Sequence, residues 1–133
     1  MKNRKVKIRA TDDGAGGVAF DVDGFKPHNA RLELGKDSGT HLIEFELHDQ
    51  SGRELSFDSA DPIWVDEDCP CPPAQGLNSD QVELGECERR SLKLVNGNWG
   101  RERELRYQLN FVGEDGSRSI CDPVIKNGGG IKN

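Results

Sequence analysis

No stretch of the 133-residue chain approaches the ~18 consecutive apolar residues that a membrane-crossing helix needs, so no such span is expected. The basic residues within Met1 to Ala10 are followed by neither a continuous apolar stretch nor a small-residue cleavage site. That argues against a secretory signal and makes a cytoplasmic protein the expectation. Aromatic residues are scarce, at 6%, and hydrophobic residues reach only 33%. This supports one modest core, without the sustained heptads of a coiled coil or the glycine period of collagen. Internal repeats are missing, and so is any i, i+3, i+4, i+7 apolar spacing longer than about two helical turns. There is no Gly-x-Ser-x-Gly turn to present a nucleophile and no His-Glu-x-x-His to hold zinc. The glycine run Gly128-Gly129-Gly130 leads into no helix that would cradle phosphate.

Positive charge is also in short supply. Formal net charge is −6, and because residues 1 to 9 hold five basic side chains and no acid, the remainder carries −11. Nucleic acid is therefore an unsuitable partner for the body of the protein, since phosphate contacts require a concentrated basic face. The basic N-terminal residues read as solvated flanks of a first strand, where charge discourages edge-to-edge pairing.

What the sequence has in abundance is alternation of period two, the mark of strands with one buried face. Val6, Ile8 and Ala10 share one parity, as do Val18, Phe20 and Val22, Ala30, Leu32 and Leu34, and Leu92 and Leu94. Ile43, Phe45 and Leu47 repeat the pattern, and Asp49-Gln50-Ser51-Gly52 predicts a hairpin into the strand containing Leu55 and Phe57. Leu105, Tyr107, Leu109 and Phe111 give the cleanest case, with a return at Glu114-Asp115-Gly116. Asp80-Gln81-Val82-Glu83 has the spacing of a single capped helical turn. The expected fold is all-β: an immunoglobulin-like, two-sheet antiparallel β-sandwich of about 7 to 9 short strands, formed by residues 1–126 as one domain, with 127–133 as a flexible glycine-rich tail. A closed barrel is the alternative.

One segment breaks the rhythm. Residues 58–80 contain Pro62, Pro70, Pro72, Pro73 and the acidic run Asp66-Glu67-Asp68, with only Pro62 to Val65 as a short strand. Prolines cannot donate to a sheet ladder, so this is an edge or a long loop, and long irregular connections often carry binding function. Trp64 lies within it and Trp99 follows the Asn96-Gly97-Asn98 turn. Both tryptophans can anchor a partner or plug the ends of the core.

The cysteines Cys69, Cys71, Cys87 and Cys121 could supply four thiolates to zinc or copper, although the spacing departs from the usual paired ligands. Ordinary reduced thiols and disulfides are the alternatives. His41 shares the parity of Ile43 and Phe45 whereas His48 falls on the polar side, so the two cannot address one site from a regular strand; His28 stands apart. Asp21-Val22-Asp23-Gly24 imitates part of a calcium loop, but Ala19 and Ala30 would occupy ligand positions, and a turn at Asp23-Gly24 is the simpler reading.

Tyr107-x-Leu109-x-Phe111, the Gly116 turn and Cys121-Asp122-Pro123-Val124-Ile125-Lys126-Asn127-Gly128 resemble the closing hairpin of small bacterial β-sandwich proteins of uncharacterised function, the family named for its Asp-Pro and Glu-Pro motifs. Asp61-Pro62 and Asp122-Pro123 are present, and no Glu-Pro occurs. The resemblance implies a fold without an activity. Taken together, the residues point to a non-catalytic binding module for another protein, with no cofactor, contacting its partner through Trp64, Asp66, Glu67, Asp68 and Trp99. The rivals are a small zinc or copper protein using Cys69, Cys71, Cys87 and Cys121, and a hydrolase built on a histidine beside an acid.

Overall fold

The computed structural model of the chain describes residues 1–23, 31–68 and 73–131. Eleven strands are present among them: β1 (Lys2–Asp12), β2 (Val18–Asp23), β3 (Arg31–Leu34), β4 (His41–Gln50), β5 (Ser56–Phe57), β6 (Ile63–Glu67), β7 (Val82–Cys87), β8 (Ser91–Asn96), β9 (Arg103–Val112), β10 (Arg118–Cys121) and β11 (Val124–Asn127). They form two sheets, as the alternation predicts. The first runs β2-β1-β4-β8-β7, and the second is built around β9 with β10, β11, β3, β5 and β6. Both are mixed and not purely antiparallel, because β1 pairs β4 in parallel and β11 pairs β3 in parallel.

Strand number exceeds the expected 7 to 9 because prolines split two strands in the second sheet. On one flank of β9, β5 and β6 pair with its C-terminal and central residues; on the other, β10 and β11 pair with its C-terminal and N-terminal residues. The breaks fall at the two Asp-Pro dipeptides, Asp61-Pro62 and Asp122-Pro123. Each proline lacks an N–H, but its carbonyl still accepts from β9: Asn110 N donates to Pro62 O at 2.9 Å and Tyr107 N to Pro123 O at 3.0 Å. The long central strand thus stays continuous while its neighbours bend around it.

Between the sheets lies one apolar core. Val6, Ile8, Ile43, Phe45, Leu92 and Leu94 enter from the first sheet and meet Val65, Leu105, Tyr107, Leu109, Phe111 and Ile125 of the second. Phe45 packs on Tyr107 with ring centroids 5.9 Å apart, and Phe20 stacks on Phe111 at 5.3 Å. Offset and tilted aromatic pairs of this kind add to plain area burial. Outward-facing charges pair across strands. Lys5 reaches Glu46 (3.2 Å) and Arg9 lies 3.4 Å from both Asp21 and Asp23, so two of the five N-terminal basic residues are met by neighbouring acids.

Three local expectations are corrected. Asp49-Gln50-Ser51-Gly52 does not close a hairpin, because β4 belongs to the first sheet and β5 to the second. The turn carries the chain across the core, held by the Asp49 carboxylate accepting from Ser51 N, Ser51 Oγ and Leu55 N while Leu55 is buried. Val82 and Glu83 begin β7 instead of a helical turn. The supposed flexible tail is packed in place from 127 to 130: Asn127 ends β11 fully buried, Gly128 N donates to Leu34 O (2.8 Å), and Gly130 pairs with Gly100. A Cβ on Gly128 would lie 2.7 Å from Leu34 O and from Gly35 C, so only glycine permits this approach. Asp23-Gly24 and Ala30 fall partly or wholly outside the described residues.

Candidate binding site

Four chain segments converge at one end of the sandwich: the end of β6, the start of β7, the turn after β8 and the start of β9. Polar groups buried beneath them hold the end together. Asn96 of β8 and Asn127 of β11 exchange reciprocal amide hydrogen bonds, Asn127 Nδ2 to Asn96 Oδ1 at 2.7 Å and Asn96 Nδ2 to Asn127 Oδ1 at 2.9 Å. One pair of side chains thereby links the two sheets. Tyr107 Oη accepts from Asn96 Nδ2 (3.3 Å), and Gln81 Oε1 accepts from Asn127 Nδ2 (3.3 Å) and from Trp99 N (3.0 Å). With both of its lone pairs engaged, Gln81 Oε1 leaves Nε2 as a buried donor without a partner among the described residues.

Asn98, at φ +50°, adopts the left-handed conformation that asparagine tolerates. Its Nδ2 donates to Gly35 O and Ser38 Oγ, both at 3.0 Å, and its Oδ1 accepts from Gly129 N. Asn96 and Asn98 are interior residues, so within the Asn96 to Gly100 turn only Gly97, Trp99 and Gly100 reach the surface. Trp99 folds back over Gly97, where a Cβ would sit 2.6 Å from the indole Cδ1.

Above this network the acidic run meets two arginines. Arg103, its side chain only 10% exposed, places Nη1 2.7 Å from Glu67 and 3.7 Å from Asp80, with its guanidinium 5.8 Å from the centre of the Trp99 ring. Arg101 pairs with Asp68 at 2.9 Å. Asp68 also accepts from Glu104 N (3.0 Å); that backbone hydrogen bond, followed by Arg101, holds its carboxyl below the usual range. Asp66 Oδ1 accepts from Glu67 N. Thus Glu67 and Asp68 are committed to holding β6 against β9.

Trp64 points the other way. It alternates with buried Ile63 and Val65, so it covers the outer face of the second sheet, half-buried, with Nε1 donating to Asp61 Oδ2 (2.8 Å). It stands opposite Gln108 in register, and the buried pair Gln108–Asn110 runs along the same face, tied to Asp61 O. Trp64 and Trp99 therefore do not share a surface.

Beside Trp99 opens a cleft of about 440 Å³ whose walls include Thr40, Asp80, Gln81, Val82 and Glu83. Asp80 is well exposed and Glu83 is exposed. Of the residues forming this end, the sequence pointed to Glu67, Asp68 and Trp99, whereas Asp80, Gln81 and Arg103 emerge only once β7 and β9 are in register.

Of the proposed metal ligands, Cys69 and Cys71 lie outside the described residues. Cys87, half-buried, ends β7 in the first sheet; Cys121, buried, ends β10 in the second, and both are free thiols. Burial raises the pKa of both thiols, Cys121 to about 12. Among the described residues no group of three or more His, Cys, Asp or Glu is gathered as metal ligands would be.

His41 is buried as its parity requires, its Nδ1 donating to Gly39 O (2.8 Å), and His48 lies on the opposite face of β4 with Nε2 2.6 Å from Glu46. His28 lies outside the described residues. Burial first, then Arg4 and Lys2, depress the His41 pKa. The unfolded chain therefore takes up a proton near pH ~6.5 before the folded one does. Stability attributable to His41 is complete above that pH and declines as pH falls toward the folded value. Urea midpoints at pH 7.5 and 5.5 should drop more for the natural chain than for His41→Asn; equal drops would remove His41 as the cause.

No helix long and apolar enough to cross a membrane occurs among the described residues. No protein-family model matches the chain, nor does the sequence of any curated protein.

Proposed function

We propose that this chain is a non-catalytic binding module whose Trp99 cleft receives a cationic side chain presented by another protein. The observation that carries the reading is the placement of an aromatic ring and two exposed carboxylates, Asp80 and Glu83, around one open cleft at a sheet edge. A lysine or arginine entering there would meet the indole by cation–π attraction and the carboxylates by charge. The −11 balance beyond residue 9 would speed the approach of a basic partner at low salt. A non-catalytic role is favoured because His41 and His48 face opposite sides of β4 and each already has a ring nitrogen engaged.

The test is a titration of short, dye-labelled lysine- and arginine-containing peptides followed by the anisotropy of the label, which reads binding to the natural chain and to every variant alike. Binding should weaken at least about tenfold in Trp99→Ala and in the Asp80→Asn/Glu83→Gln double variant, and should fall with added salt. Equal binding of glutamate-containing peptides, or no loss in either variant, would refute the assignment.

A further inference from the structure

The chain contains two Asn-Gly dipeptides, Asn96-Gly97 and Asn127-Gly128, and the fold places their asparagines against each other in the interior. In an open chain, Asn-Gly is the dipeptide most prone to self-modification, because glycine has no side chain to shield its backbone nitrogen. That nitrogen attacks the asparagine Cγ and gives up its proton to solvent base. The new N–C bond closes a succinimide as the Cγ–Nδ2 bond breaks and ammonia leaves. Water then opens the ring to aspartate or isoaspartate, without oxidation or reduction.

In the folded protein each participant in that reaction is restrained. Gly97 N donates to Gln81 O at 2.6 Å and Gly128 N to Leu34 O at 2.8 Å, so both nucleophiles are engaged. Both departing amide nitrogens donate into the pair itself, Asn96 Nδ2 also to Tyr107 Oη and Asn127 Nδ2 also to Gln81 Oε1. Asn96 and Asn127 are both 0% exposed, which keeps out the water that would open the ring. The space that makes each glycine reactive is also the space the fold needs, since Gly97 accommodates Trp99 and Gly128 accommodates the backbone at Leu34 and Gly35.

We infer that Asn96 and Asn127 form a latent self-modification site, silent in the folded protein and released when the two sheets separate. The product cannot return to the native arrangement. An aspartate at either position turns an amide donor into an acceptor facing its partner's carbonyl oxygen, and an isoaspartate also adds a methylene to the backbone at a strand end. Each excursion to the open state therefore carries a chance of permanent removal from the folded pool.

The intact chain is incubated at pH 8.5 in native buffer and in denaturing urea. Deamidation is followed by mass spectrometry of the peptides bearing Asn96 and Asn127, with Asn78-Ser79 as an internal reference. Protection by the folded state should be about a thousandfold or more at both sites, since reaction is confined to the open fraction. Chains deamidated in urea should fail to recover native fluorescence on dilution, and Asn127→Asp should reproduce that failure. Less than tenfold protection at either site would overturn the inference, as would full refolding of the deamidated chain. Unmodified chains taken briefly through the same urea and dilution should recover native fluorescence, so general misfolding after urea is distinguishable from the specific effect.

Discussion

Phe111→Ala should lower unfolding free energy by about 3 to 5 kcal/mol, the cost of a large cavity in a close-packed core. The ring is fully buried, stacked on Phe20 of the first sheet at 5.3 Å and tilted against Phe57 at 4.7 Å. Removing it loosens β2, β5 and β9 together. With aromatics at 6% of the chain, few other rings can move in to fill the space. Since domains of this size are stable by only about 5 to 15 kcal/mol, the variant should sit near the edge of folding at 37 °C. Urea unfolding followed by circular dichroism measures the change. Phe111→Leu, which keeps most of the volume, should lose much less. A loss below about 1 kcal/mol for Phe111→Ala would mean that this aromatic group does not join the sheets as described.

Asn127→Ala should cost about 2 to 3 kcal/mol through a different mechanism, the stranding of buried polar groups. Asn96 Nδ2 would keep only its 3.3 Å bond to Tyr107 Oη, and Gln81, whose Nε2 has no partner among the described residues, would lose a donor to its oxygen. Asn96→Ala removes the reciprocal half. If the two amides act as a unit, the double variant should lose less than the sum of the single losses, with a coupling above about 0.5 kcal/mol. Additive losses in a denaturation cycle would show that the pair does not connect the sheets energetically.

How much of this was legible in the sequence depended on whether the signal was local. Alternation is local, and it placed Leu105, Tyr107, Leu109 and Phe111 in the core, where each is fully buried. It also separated His41 from His48. It failed for Gln108 and Asn110 on the opposite face of the same strand. Both are buried because Trp64 and the Asp61-Pro62 segment cover them, and that cover comes from a part of the chain more than forty residues away. Turn chemistry is local too, and Asp49 to Gly52 does turn. Whether the next strand joins the same sheet or crosses the core is a matter of long-range packing, which no turn residue encodes. Residues 127–130 show the converse, since a glycine run looks like slack until the backbone it packs against is in place.

At the candidate site the same division holds. Trp99, Glu67 and Asp68 stood out by residue type and setting, while nothing in the sequence singled out Arg103. Its burial against Glu67 and Trp99 depends on the pairing of β6 with β9.

The parallel pairing of β11 with β3 has a consequence for the order in which the protein can be made and completed. A ribosome releases Leu32 and Leu34 long before Val124 to Asn127, yet those late residues are the neighbours that β3 needs in its sheet. Until they emerge, one apolar layer has no finished edge and the nascent polypeptide must wait with greasy surface showing. Assembly is therefore expected to follow translation and to proceed slowly, as it does for folds dominated by distant pairings, leaving an interval in which chaperones have something to hold.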